Sequence, residues 1–103
     1  MIVVLLVSTG AAWESRALAA LNDHPGTVVL KRCVDVPDLL AAASTGQADV
    51  AVLGVDLAGL DRTVTDDLTR HAVRAVGVAV DPDLTQPRAA RNGIATVIAA
   101  DRI

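Results

Sequence analysis

The chain has 103 residues, of which 52% are hydrophobic and 20% are charged, and its formal net charge is −3. This length predicts one small domain with a single core, and the high hydrophobic content excludes an intrinsically disordered chain. An isoelectric point near 5.1, with no run of lysines or arginines, argues against a nucleic-acid-binding domain.

Strands and helices are predicted to alternate along the chain. The strands are apolar runs rich in valine and isoleucine, and the helices lie between turn-forming and capping residues. In chain order, the predicted elements are strand 2–7, helix 11–22, strand 27–33, helix 37–44, strand 48–55, helix 65–71, strand 75–80, helix 87–92 and strand 94–99.

Local signals place the ends of these helices. The segment 8–10, Ser-Thr-Gly, is expected to supply the N-cap of the first helix. Asp35 and Pro37 are expected to start the second helix. Residues 56–65 are predicted to form a loop, and residues 81–83 a turn.

Five apolar strands joined by short helical connections predict a flavodoxin-like α/β fold, a three-layer sandwich. The expected sheet is parallel, with strand order 2-1-3-4-5. No helix is predicted between the fifth strand and Ile103, so one face of the sheet is expected to be partly bare. We therefore predict that residues 1–103 are a single domain from the N-terminal part of a longer protein, or that a partner covers this face.

The bare face also predicts self-association. Trp13 is the only aromatic residue. Together with Ala17 and Leu21, it is predicted to lie on the side of the first helix that adjoins the bare face. Large exposed apolar patches mark interaction surfaces. We therefore expect a homodimer with these three residues in its interface.

Cysteine content and hydropathy indicate the cellular compartment in which the protein is expected. Cys33 is the only cysteine, which excludes a disulfide within the chain and fits a reducing compartment. No apolar run approaches the about 20 residues that a membrane span needs. The opening segment 1–7 is too short for a signal peptide and has no basic start. A cytoplasmic protein without direct membrane insertion is expected.

The whole chain resembles the receiver domains of response regulators in the spacing of its elements. In the third strand, receivers often carry an aspartate, four apolar residues and then the aspartate that accepts the phosphoryl group. Residues 49–53, Asp-Val-Ala-Val-Leu, are similar to the start of this run, and the acceptor position falls on Gly54. The ending 93–100 is similar to the end of a receiver domain.

At the functional positions the chain departs from the receiver pattern. The resemblance puts the magnesium-binding acidic pair on the segment 8–10, the hydroxyl residue of the fourth strand near 79–80, and the lysine on Ala100. Phosphoryl transfer to a carboxylate needs a nucleophile, a carboxylate-held metal and a cation, which these residues do not supply. The resemblance therefore implies a pseudo-receiver that is not an enzyme and has no cofactor or metal.

The segment 8–21, STGAAWESRALAAL, is similar to the atypical receiver domain at the N-terminus of TadZ/CpaE-like proteins. These are MinD/ParA-type ATPases that act in septum-site determination or pilus localisation. In that family the receiver-like domain precedes a P-loop ATPase and helps with localisation and self-association. The resemblance implies a regulatory or docking role without phosphorylation, with the ATPase domain downstream of this chain.

Two other functions stay open at the carboxyl edge of the predicted sheet. Ser8, Thr9, Gly10 and Asp56 are candidates for a small-anion or nucleotide site, because a loop before a helix N-terminus suits anions. Asp56 is also a candidate for a displaced phospho-acceptor. A simple helix cap and a solvated carboxylate would explain the same residues without a ligand.

Two further groups have a functional and a structural interpretation. Asp67 and His71 lie one helical turn apart, as half of a metal site would, but no third ligand is placed, which favours a surface pair. Lys31 and Arg32 beside Cys33 could lower the pKa of its thiol, as a reactive cysteine requires. No histidine base is placed beside that thiol, so a packed or partly exposed cysteine is expected.

Overall fold

The computed structural model of the protein describes residues 1–102, which form one sheet with helices on both faces. The strands are β1 (Ile2–Val7), β2 (Thr27–Cys33), β3 (Val50–Gly54), β4 (Arg74–Ala79) and β5 (Thr96–Ala99). The helices are α1 (Glu14–Asp23), α2 (Val36–Ala43), α3 (Arg62–Arg70) and α4 (Pro82–Arg91), and a 3-10 turn, Ala100–Arg102, follows β5. All neighbouring strands are parallel, and the order β2-β1-β3-β4-β5 confirms the predicted flavodoxin-like fold. No helix within residues 1–102 is long and apolar enough to cross a bilayer.

The register of the strands divides the core into two parts. Leu6 of β1 lies opposite Val52 of β3, which lies opposite Val76 of β4, so these residues share one face of the sheet. That face packs against α1. The other face carries the larger cluster, in which Leu5 and Leu53 are 0% exposed beneath α2 and α3. The sheet is therefore more completely covered on the side of α2 and α3.

The first helix begins later than predicted. α1 starts at Glu14 with Trp13 in the N-cap position, and the segment 8–10 does not cap it. Instead, the Glu14 carboxylate accepts a hydrogen bond from the Ala11 amide. The Glu14 amide in turn donates to the Ala11 carbonyl oxygen at 3.2 Å. An acidic side chain in the first turn of the helix thus accepts the hydrogen bond of a free amide. The hydroxyls of the preceding loop were expected to accept such a bond.

Aspartate caps start the next two helices. The Asp35 carboxylate accepts a hydrogen bond from the Asp38 amide at 2.8 Å, which confirms the predicted start of α2. The Asp61 carboxylate accepts one from the Val64 amide at 3.0 Å, so α3 already begins at Arg62. The predicted loop before α3 was too long because Asp61 was not interpreted as a cap.

The predicted turn at 81–83 was wrong, because α4 begins at Pro82. A proline suits the first position of a helix, since its missing amide has no partner there. Pro87, which was expected to begin this helix, lies inside it.

Candidate functional site

A groove of about 810 Å³ lies at the carboxyl edge of the sheet, where open α/β sheets bind their ligands. Its buried lining is apolar and includes Trp13, Val78, Ala79 and Ala100. Its exposed lining combines charged and apolar side chains, which include Arg16, Asp56, Val80, Asp81, Leu84 and Asp101. The groove therefore has an apolar floor and a mixed, mainly acidic rim.

The Asp56 side chain occupies the space above Gly54. A Cβ atom on residue 54 would lie 2.8 Å from Asp56 Oδ1 and 3.6 Å from Trp13 Cζ2. Any residue with a side chain at position 54 would therefore force the Asp56 carboxylate to move. The structure thus places the Asp56 carboxylate directly beside the position to which the receiver resemblance assigned the acceptor.

The four residues of the predicted anion site are not brought together. Asp56 lines the groove, whereas Ser8, Thr9 and Gly10 are not part of its lining. The Ser8 hydroxyl instead accepts a hydrogen bond from Arg32 Nε at 3.4 Å. Because α1 begins well after this loop, the loop does not present the helix N-terminal amides that favour an anion.

Two charged residues at the start of α1 were missed by the sequence analysis. Arg16 Nη2 donates a hydrogen bond to the Ala100 carbonyl oxygen at 3.1 Å, which ties α1 to the turn after β5. Glu14 is buried, and its Oε1 atom has no hydrogen-bond partner within residues 1–102. The spacing of Glu14 from Ala11 is that of a capping box, which was the available signal.

The predicted interface residues lie deeper in the fold than expected. Trp13 is 5% exposed and Ala17 is 4% exposed, because the inner side of α1 packs them against Leu6 and Val78. Leu21 is half-buried. Trp13 and Ala17 are therefore core residues of this chain, and their place in a dimer interface, with Leu21, stays a prediction.

Part of the exposed apolar surface lies on the strands beside α1. Ile98 of β5 is 40% exposed, and the valines at positions 50, 52 and 76 on the same face are half-buried. We call Val50, Val52, Val76 and Ile98 the exposed strip. On the opposite face, Ala51 is 0% exposed. The face beside α1 is thus partly bare, as the element pattern predicted.

The Cys33 thiol is buried, not activated. Its side chain is 0% exposed, and burial raises its pKa, with a smaller increase from Asp38. The positive charge of Lys31 lowers the pKa of the thiol, but this effect is smaller than the increase from burial. The Lys31 ammonium lies 2.6 Å from the Asp38 carboxylate, and this ion pair raises the pKa of Lys31 and lowers that of Asp38. The expectation of a packed cysteine is confirmed, and the alternative of a lowered thiol pKa is wrong, because burial is the largest influence on this thiol.

The native Cys33 thiol is expected to react slowly with an aromatic disulfide reagent at pH 8. Only the thiolate reacts, and burial opposes both its formation and its access. The rate should be at least about tenfold below that of the same chain in urea. The matched control is the double variant Cys33→Ala/Val34→Cys, since Val34 is 64% exposed. Fast reaction of native Cys33 would contradict the buried assignment.

Asp67 and His71 do not form half of a metal site. The Asp67 carboxylate pairs with Arg70 on the same helix. His71 caps the end of α3, where its amide donates to the Asp67 carbonyl oxygen at 3.3 Å. In the part of the chain that the structure describes, no three histidine, cysteine or acidic side chains come together as a metal site.

Solved receiver domains superpose on nearly the whole chain. The signal receiver domain of NarL from Mycobacterium tuberculosis matches with a TM-score of 0.78 at 18% identity, over 97% of this chain and 84% of that chain. The chain has the receiver-domain fold. The response regulator domain of CheB from Thermotoga maritima matches with a TM-score of 0.74 at 19% identity, over 96% and 78% of the two chains. A CheX–CheY complex with beryllofluoride and Mg²⁺ from Borrelia burgdorferi matches with a TM-score of 0.67 at 14% identity, over 95% and 77%.

At these identities the likeness to receiver domains concerns the fold. No protein-family model matches the chain, and no curated protein matches it. The predicted resemblance to receivers is thus confirmed for the architecture, and the narrower resemblance to TadZ/CpaE-like proteins stays a prediction.

Proposed function

We propose that this chain is a non-catalytic, receiver-like interaction domain that regulates by binding protein rather than by accepting a phosphoryl group. The observation that carries the proposal is the exposed strip. Parallel sheets are almost always covered on both faces, yet Ile98 is 40% exposed on one face while Leu53 is 0% exposed on the other. A second protein surface packed on this face would cover the exposed strip.

The second surface in this proposal is another copy of the chain. The exposed strip is built from one isoleucine and three valines, so its own side chains carry no charge, and the exposed Arg74 lies beside Val50 on the same face. Its apolar area gives association a favourable term of about 25 cal/mol per Å² buried, from which the cost of association is subtracted. We expect a homodimer at about 100 μM chain, a concentration that populates even weak complexes.

The residues at the receiver positions support a role without phosphoryl transfer. The acceptor position is Gly54, and the positions of the acidic pair carry the hydroxyls of Ser8 and Thr9. The lysine position is Ala100. Arg16, which lines the groove, already donates to the Ala100 carbonyl oxygen. An aspartyl phosphate would thus form without the metal ligands and the free cation that stabilise its transition state.

Incubation with acetyl phosphate and Mg²⁺, followed by borohydride reduction and mass spectrometry, tests this proposal. We expect no reduced aspartate in the chain, while a phosphorylatable receiver domain in the same reaction is modified. Asp56→Asn is the matched control for the one carboxylate beside Gly54. Reduction at Asp56 would contradict the proposal and establish the displaced acceptor, which the closeness of Asp56 Oδ1 to Gly54 makes the second candidate.

We further propose that the domain is the N-terminal module of a cytoplasmic septum-site-determining or pilus-localisation ATPase of the MinD/CpaE-like type. The resemblance of the segment 8–21 and the receiver fold support this assignment. The coding sequence after Ile103 tests it, because a P-loop motif is expected there. A downstream domain of another class would contradict it.

A further inference from the structure

The groove at the carboxyl edge continues into two strongly exposed apolar side chains. Val80, just after β4, is 86% exposed, and Leu84 in α4 is 78% exposed. Both line the groove whose floor includes Trp13, Val78 and Ala100. Apolar side chains thus line both the buried floor and the exposed rim. Exposed apolar surface of this kind marks a site where a partner excludes water.

The charges around this apolar surface are mainly negative, and the acidic side chains have no partner of their own. Asp56, Asp81 and Asp101 line the groove, and none of them has a salt bridge or a side-chain hydrogen bond to another residue among 1–102. Arg16 is the single basic lining residue, and its guanidinium is hydrogen-bonded to the Ala100 carbonyl oxygen. The rim therefore attracts positive charge.

We propose that this groove binds a segment of a partner protein in which an apolar side chain is flanked by lysine or arginine. The apolar side chain packs between Leu84 and the floor at Trp13, and the flanking cations pair with Asp56, Asp81 and Asp101. This inference rests on the proposed interaction role, but the groove shares no lining residue with the exposed strip. The two surfaces adjoin where Val78 of the groove floor lies opposite Ile98 of the strip.

Other occupants fit these observations less well. A small molecule inside the groove would leave Val80, at 86% exposure, in water. Nucleic acid and anionic lipid would both meet three carboxylates, and like charges repel. A peptide segment carries apolar and basic side chains along a backbone that extends beyond the groove. It therefore matches both the apolar rim and the acidic charge.

Binding of short designed peptides to the 103-residue chain tests the proposal. The first probe alternates leucine with lysine, the second replaces leucine by serine, and the third replaces lysine by glutamate. None of them is aromatic, so the emission of Trp13, the only aromatic residue, reports on the groove floor. Only the leucine–lysine peptide is expected to bind, with amide shifts centred on residues 80–85 and weaker binding at higher salt.

Single-residue variants distinguish binding in the groove from non-specific binding of the peptide elsewhere on the surface. Leu84→Ser and Asp81→Lys should each weaken binding of the leucine–lysine peptide by at least about fivefold, the loss typical of a contributing interface residue. Val34→Ser is the matched control, since Val34 is 64% exposed and does not line the groove. Circular dichroism checks that each variant is folded.

Several results would overturn the inference. These are no binding of the leucine–lysine peptide, equal binding of the serine or glutamate peptide, or an unchanged affinity in folded Leu84→Ser. Binding to phosphatidylglycerol vesicles that the peptide does not compete would assign the groove to a membrane instead. Sedimentation of Leu84→Ser distinguishes this failure from failure of the proposed function, because loss of peptide binding should leave self-association unchanged.

Discussion

Ile98→Glu is expected to abolish self-association of the chain without unfolding it. Ile98 is 40% exposed in the monomer, so the fold tolerates a carboxylate there. In the dimer the same carboxylate would be buried against the apolar strip of the partner copy, at the cost of removing its charge from water. The dissociation constant should rise by at least about tenfold, which corresponds to about 1.4 kcal/mol.

Sedimentation velocity over a concentration series measures this change. Val34→Glu is the matched control, because Val34 is exposed and lies outside the exposed strip. A variant at Trp13 would not serve, since Trp13 is 5% exposed and its replacement by a charged residue would disrupt the core. A monomeric wild-type chain, or equal association of Ile98→Glu and wild type, would contradict the dimer proposed for this surface.

Gly77→Ala is expected to lower the free energy of unfolding by about 1–3 kcal/mol, as overpacking of a filled core does. Gly77 is buried in β4, which lies between β3 and β5 in the sheet. A Cβ atom at this position would lie 2.7 Å from Val55 Cγ1 and 3.2 Å from Ile94 Cγ2. Both neighbours belong to the larger core cluster and have little room to retreat.

Urea unfolding monitored by circular dichroism measures this loss. Gly26→Ala is the matched control, because an added Cβ there meets only His24, at 3.5 Å and 3.6 Å, and its backbone is not left-handed. Its effect should stay within about 0.5 kcal/mol. The double variant Gly77→Ala/Val55→Ala should lose less stability than the sum of the two single variants, since removing the valine methyl groups relieves the contact. An unchanged stability of Gly77→Ala would show that this close contact does not constrain the fold.

The bounds of strands and helices were predicted correctly where a local sequence signal had no competing signal beside it. β1 and β2 have the predicted bounds, because apolar β-branched runs are both strand-forming and core-forming. The cap at Asp35 acts within one turn of its own chain and was predicted correctly. The start of α1 was misplaced because two local capping arrangements competed, and the Glu14 carboxylate, rather than the hydroxyls before the helix, forms the hydrogen bond.

The strand order and the bare sheet face could be predicted from the sequence, because both follow from the number, polarity and spacing of the elements along the chain. The chemistry of single side chains could not, because it depends on tertiary packing. The tertiary structure placed the Asp56 carboxylate over Gly54, turned Trp13 into the core and buried the Cys33 thiol. Exposure and pKa depend on which distant elements pack against a residue, and one-dimensional spacing does not contain that information.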